Sequence, residues 1–156
     1  MTTQWWAALG AAAVVLATAV GTARRLLLVV TVRGASMEPG LHDGDRVLVL
    51  RRNPERLRAQ EVVVLRGPLQ LDTPAAPLHG GPVHFVIKRL AAVAGQSVPP
   101  AVRHAVADAG SLVPLGSLVV LGDNPDHSSD SRDFGPVPAA RAVGTVVHRF
   151  RAAADG

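Results

Sequence analysis

Two residues in this chain have the types needed for nucleophilic catalysis that does not depend on histidine. Ser36 lies in the turn-rich stretch Arg33-Gly34-Ala35-Ser36-Met37-Glu38-Pro39-Gly40, and Lys88 lies in the β-prone run HFVIKRLAAV (84–93). A serine hydroxyl is a weak nucleophile until a base removes its proton. A lysine serves as that base only when neutral, which requires its pKa to fall from ~10.4 toward the working pH; desolvation among apolar groups does this. On a strand, Val86 and Leu90 share the face of Lys88, and an unpaired ammonium is costly there. Fifteen of the sixteen basic residues are Arg, and Lys88 is the only Lys. Arginine cannot be deprotonated in a protein, so the position that keeps lysine is singled out. Two plainer readings stand beside this one. Ser36 can be a turn serine, and Lys88 can be an edge-strand lysine that discourages aggregation.

A third stretch, GDNPDHSSDSRDFGPV (122–137), is dense in turn formers and hydrogen-bonding side chains. A neutral lysine needs a partner to aim it, as any catalytic base does. Ser128, Ser129 and Ser131 are candidates, and Asp130 with Arg132 can pair and stiffen the loop. His127 beside Ser128, with Asp123 and Asp130 nearby, allows a Ser-His-Asp alternative, although such triads are usually assembled from distant segments. Asp126, Ser128 and Asp130 alternate like a calcium loop but lack its central Gly and distal Glu, so no metal is expected.

These segments resemble the conserved boxes of type I signal peptidases, serine/lysine-dyad proteases that release exported proteins from their leader peptides. Ser36-Met37-Glu38-Pro39 is similar to the nucleophile box S-M-x-P, and Gly44-Asp45-Arg46-Val47-Leu48-Val49 to G-D-x-V-x-V. Lys88-Arg89-Leu90 with Gly95 resembles the general-base box, loosely after its third residue. Gly122-Asp123-Asn124 through Ser128, Asp130, Ser131, Arg132 and Gly135 is similar to G-D-N-x-x-x-S-x-D-S-R-x-x-G. The boxes come in family order across residues 36–137. The resemblance implies that Ser36 attacks the scissile carbonyl, Lys88 takes its proton, Ser128 orients the amine and Asp130 pairs with Arg132. It also implies that the Ser36 N–H helps stabilise the oxyanion, and that substrates are extended leader peptides cut after small-residue A-x-A sites. Gly34, Ala35, Met37 and Pro39 are the candidate substrate-binding residues, with 26–35 and 83–87 as walls. Gly34, where some members carry a hydroxyl, points to the small Gram-positive type. Pro125 replaces a frequent Arg, and the segment between the lysine and GDN boxes is short, without a large second β-domain.

The elements that must position these residues follow from pattern. Trp5 to Ala23 carries no charged side chain, long enough to cross a hydrocarbon core of roughly 30 Å as a helix. Trp5 and Trp6 favour a membrane interface. A cleavable signal sequence is the competing reading, with small-residue sites at Ala17-Thr18-Ala19 and Gly21-Thr22-Ala23, but no basic residue precedes the run. Strands are expected over 26–32, 46–51, 61–66, 84–93, 117–124 and 141–150, a surface loop over 67–82 and a helical turn over Ala105 to Ala109. The fold expected is mainly β: a membrane anchor (1–25) followed by one compact antiparallel β catalytic domain (26–156).

Composition narrows the function. The formal net charge is +4 and the chain has no Cys, which removes disulfides, thiolate metal sites and a Cys nucleophile. After the anchor there is no Trp or Tyr, so the platforms of a single-strand nucleic-acid binder are missing and lipid head groups are the expected partner of the basic surface. No cofactor is required by the chemistry. Three alternatives remain: a dedicated maturation protease of the same dyad type cutting one partner, a self-cleaving repressor (which lacks an anchor and the GDN box), and a catalytically idle β module that binds peptides by strand addition. Topology pulls in two directions. Arg24 and Arg25 follow the span and nothing basic precedes it, which puts the following domain inside by the positive-inside rule; the family resemblance puts it on the extracytoplasmic side of a single-pass cell-membrane anchor.

Overall fold

The computed structural model describes residues 3–69, 84–106 and 112–152. Most of the expected 67–82 loop, residue 83 of the expected wall and residues 107–109 of the expected helical turn lie outside them, as do the indoles of Trp5 and Trp6.

The chain opens with helix α1 (Thr3–Leu26). From Leu9 onward its side chains are exposed all round, although most are apolar. A helix apolar on every side and packed against no protein is a candidate membrane span. Its two threonines fit that setting, because Thr18 Oγ1 donates to the Val14 carbonyl at 2.8 Å and Thr22 Oγ1 to the Thr18 carbonyl at 2.9 Å. Each hydroxyl is satisfied within the helix.

The helix passes without a linker into a seven-stranded antiparallel half-barrel. Its strands are β1 (Leu27–Thr31), β2 (Arg46–Arg51), β3 (Val62–Arg66), β4 (Phe85–Val93), β5 (Ser117–Leu121), β6 (Val137–Pro138) and β7 (Ala142–Phe150). Their order in the sheet is β1-β2-β7-β3-β4-β5-β6. Six strands fall where the residue pattern expects them. The two-residue β6 is an addition, too short to leave a periodic signal.

Burial explains the patterns. β2 alternates, with Val47 and Val49 buried and Leu48 and Leu50 half-buried. In β3 the run Val63-Val64-Leu65 is entirely buried, because core packs on both of its faces. Val64 joins a cluster with Val30, Met37, Val49 and Ile87. Val63 and Leu65 join Leu90, Leu118, Val120 and Val137 on the other side. A continuous apolar run therefore marks a strand inside the sheet. Lys88 is buried against β3, so it is not the exposed edge-strand lysine that discourages aggregation.

β7 crosses β2 at very close range. A Cβ on Gly144 would lie 2.1 Å from the Leu50 carbonyl oxygen and 2.8 Å from Arg51 Cα. Only backbone occupies that gap, and it cannot swing aside as a side chain would. Gly144→Ala is expected to lower the unfolding free energy by about 3 kcal/mol or more, measurable as a fall in the denaturant midpoint of the detergent-solubilised protein.

Candidate active site

Lys88 is 3% exposed. Its face of β4 carries Val86 and Leu90, and its cross-strand partner on β3 is the fully buried Val63. Burial among these groups lowers its pKa; the nearby charge of Asp130 opposes the shift, Arg132 adds to it and Asp133 opposes it. Its amine donates to Ser128 Oγ at 2.7 Å. Ser128 Oγ in turn donates to Asp130 Oδ2 at 2.6 Å.

Asp130 is fully buried and begins α2 (Ser131–Phe134) as its N-cap. Burial alone pushes its carboxyl up, but hydrogen bonds from Arg132, Gly122 and Ser128 outweigh it and hold the pKa at about 2. The Arg132 guanidinium is bidentate, with Nε at 3.0 Å from Oδ1 and Nη2 at 2.6 Å from Oδ2. The Gly122 N–H donates to Oδ2 at 2.7 Å and the Arg132 N–H to Oδ1 at 3.0 Å. An ionised carboxylate only accepts, so Ser128 must spend its proton on Asp130 and offer its oxygen to Lys88. A neutral Lys88 held by one N–H keeps its lone pair free for another partner.

Ser36 is tied to the same turn. Its carbonyl accepts the Asn124 N–H at 3.0 Å. A Cβ on Gly122 would fall 2.2 Å from Ser128 Oγ and 2.7 Å from the Ser36 carbonyl oxygen. The missing side chain of Gly122 lets the nucleophile-candidate loop and Ser128 meet. Ser36, Lys88, Ser128, Asp130 and Arg132, spread over 97 positions from 36 to 132, thus form one neighbourhood. Among the hydrogen bonds of the described residues, Lys88 Nζ is bonded to Ser128 and not to Ser36. His127, the base of the triad alternative, is exposed, and its neighbour Ser128 is engaged by Lys88 and Asp130 instead.

A groove of about 400 Å³ runs beside this cluster, walled by Val29 to Arg33 on one side and His84 to Ile87 on the other, with Ser36 and Met37 among its lining. Among the described residues β1 is a sheet edge, paired with β2 alone. Among the described residues β4 pairs with β5 only from Arg89 onward, and its Phe85–Lys88 half has no strand partner on that side. Met37 is buried within the core at the groove. Gly34, Ala35 and Pro39 sit in the adjoining loop and are not part of the lining. Gly34 has φ of +78°, a conformation that favours glycine, and its N–H donates to Asp43 Oδ1 at 2.6 Å.

Two ion pairs that local sequence does not reveal brace the site. Arg89 grips Asp123 with Nε at 2.7 Å and Nη2 at 2.6 Å, fastening the turn after β5 to β4. Arg149, near the end of β7, reaches Asp45 Oδ2 at 2.7 Å and also donates to the Gly40 carbonyl. Asp45 is buried, and the His42 and Ala152 N–H groups bond it as well. The motifs single out both acids, but their arginines lie 34 and 104 positions away, and only a census of unpaired opposite charges could have suggested them.

Two expectations follow from these buried charges. The folded-state pKa of Lys88 lies below its unfolded value of 10.5, so between the two the unfolded chain binds the extra proton and wild-type stability rises with pH, by at most about 1.4 kcal/mol per unit. Lys88→Met is therefore expected to be more stable than wild type at pH 7, with the gap closing as pH approaches 10; chemical denaturation across that range measures it. Asp130 shifts the other way, from 3.8 to about 2. Its ionisation contributes roughly 2 kcal/mol above the unfolded pKa, and this is lost as pH falls through the folded pKa. Asp130→Asn should be destabilised by about that amount at pH 7, with the deficit shrinking between pH 4 and pH 2.

The chain matches the family described as "Signal peptidase, peptidase S26" over residues 3–102 and 100–151. It is 31% identical over 121 residues to mitochondrial ATP-independent inner membrane protease subunit 1b of Arabidopsis thaliana, covering 74% of this chain and 65% of that protein. It is also 31% identical over 123 residues to mitochondrial inner membrane protease subunit 1 of Xenopus tropicalis, covering 78% and 67%. The match thus spans about two thirds of the length of these relatives. Against signal peptidase I V of Bacillus subtilis (strain 168) the identity is 28% over 166 residues, covering 94% of this chain and 98% of that one. The boxes, the half-barrel that gathers them and these matches together place the chain in the signal peptidase family, peptidase S26.

Proposed function

We propose that this protein is a membrane-anchored serine endopeptidase that removes leader peptides from exported preproteins after A-x-A sites, with Ser36 as nucleophile and Lys88 as general base. The observation that carries this reading is the buried, down-shifted Lys88 amine, aimed by Ser128 beside the Ser36 loop. Lys88 in its neutral form accepts the Ser36 proton as Oγ attacks the scissile carbonyl. The Ser36 N–H, which donates no hydrogen bond among the described residues, is oriented by its loop to stabilise the oxyanion. Protonated Lys88 then passes its proton to the leaving amine, and in the second half-reaction it activates the water that hydrolyses the acyl-enzyme. Asp130 and Arg132 keep Ser128 in place and do not exchange protons.

The substrate lies extended in the groove, adding backbone hydrogen bonds to the free edge of β1 and to the unpartnered half of β4. Residues 1–25 serve as the anchor and 26–156 as the catalytic domain, on the extracytoplasmic side of a single-pass membrane protein. The anchor raises the local concentration of enzyme near leaders in the same bilayer. One observation favours a dedicated protease of the same dyad that cuts a single partner: Arg24 and Arg25 follow the span, as they would if the domain lay inside.

Cleavage of a leader-bearing preprotein with an A-x-A site, in liposomes, tests the mechanism. Wild type is expected to cut at that site. Ser36→Ala and Lys88→Arg, each folded, are expected to lose roughly 10⁴-fold or more in kcat. Cleavage that survives Lys88→Arg would remove lysine as the base. Folded wild type that cuts no general leader would shift the function to the single-partner protease.

A further inference from the structure

A second hollow, of about 760 Å³, lies away from the catalytic groove and is lined by Arg51, Arg52, Arg56 and Arg58 with Glu55 among them. It is built where β2 ends and the chain turns through the short 3₁₀ segment Pro54–Arg56, which Asn53 caps by accepting the Glu55 N–H. Arg52 is paired with Glu61 at 3.4 Å, whereas Arg51, Arg56 and Arg58 are exposed.

Its place in the fold gives it meaning. Leu50 pairs with Leu27, the first β1 residue after α1. The hollow therefore opens beside the last turn of the helix, which carries Arg24 and Arg25. The charges there are six arginines (24, 25, 51, 52, 56, 58) against Glu55 and Glu61, a sum of +4. The whole chain also sums to +4, so the other ten basic and ten acidic residues cancel. Positive charge is thus concentrated beside the last turn of the candidate span.

We propose that this hollow docks head-group phosphates of anionic phospholipid in the leaflet where α1 ends. Guanidinium forks match phosphate oxygens in bidentate geometry, and an exposed set of them at head-group depth faces the surface that attracts it. Each such residue near an anionic surface contributes roughly a fivefold gain in affinity. Docking would fix the tilt of the half-barrel on the membrane. The proposal rests on the reading of α1 as a span.

The test uses the full chain in neutral detergent doped with phosphatidylglycerol or phosphatidylcholine, with retained lipid counted by native mass spectrometry. Wild type is expected to retain phosphatidylglycerol at least tenfold over phosphatidylcholine, with the preference falling as salt rises. The triple change Arg51→Gln, Arg56→Gln, Arg58→Gln should abolish the preference and leave the melting temperature and cleavage intact, and the single change Arg56→Glu should weaken it. The pair Arg46→Gln, Arg103→Gln, both exposed, with Arg46 at the opposite end of β2, should leave it unaltered. Equal retention of both lipids, or a preference that survives the triple change, would overturn the proposal. Displacement of the lipid by tens of millimolar inorganic phosphate, beyond what sodium chloride of equal ionic strength displaces, would make this a free-phosphate site and overturn it too. Carbonate extraction of the chain from membranes separates the two readings: release from the membrane refutes the span, and retention without lipid preference refutes the docking site.

Discussion

Asp130 has no contact with solvent, yet it is held ionised by five hydrogen bonds from Gly122, Ser128 and Arg132. A buried carboxylate of this kind is weak evidence for net stability, because desolvation offsets much of the attraction. What it supplies is direction. As a pure acceptor it forces the Ser128 proton to point at it, and the Ser128 oxygen is then available to the Lys88 amine. It also pins the Gly122 N–H, and so fixes the turn against which the Ser36 carbonyl rests. A neutral Asp130 could also donate, and the direction of the Ser128 hydroxyl would no longer be forced.

The half-barrel carries this arrangement by putting the participants on neighbouring elements. Lys88 is on β4, and the Gly122–Asp130 turn leaves β5, the strand beside it. The loop with Ser36 joins β1 to β2, and Arg149 at the end of β7 clamps its far side through Asp45 and Gly40. In two cases an aspartate just after a glycine, Asp45 and Asp123, is gripped by an arginine from another strand. Glycine admits the tight turn and the aspartate locks it. Both loops are thereby held to the sheet by ion pairs, and the Ser36 loop also by Met37 and Leu41, which are buried in the core.

On the proposed anchoring, the direct passage from α1 to β1 has a functional consequence. The groove wall starts at Val29, three residues after the helix ends at Leu26. A substrate strand paired to β1 would then lie close to the bilayer surface, where leader peptides are held. The arginines around the end of β2 are at the level of the helix end, so one short stretch of sheet would serve both the proposed substrate groove and the proposed lipid boundary.

The sequence by itself determined the elements and the participants. Charge-free length marked α1, alternation marked β2, a continuous apolar run marked β3 and an apolar run broken by Lys88-Arg89 marked β4, because these patterns follow from local backbone geometry and from whether one face or both are covered. The solitary lysine drew attention to Lys88, and the resemblance to the signal peptidase boxes pointed to Ser36, Ser128, Asp130 and Arg132 beside it. Only the tertiary structure decided that Lys88 is buried and so desolvated, and that Ser128 rather than Ser36 holds its amine. It alone matched Arg89 to Asp123 and Arg149 to Asp45, and brought the arginines after β2 to the end of α1. Burial and long-range pairing depend on which strands become neighbours; strand order is set by the packing of the whole chain, so no local window of residues contains it.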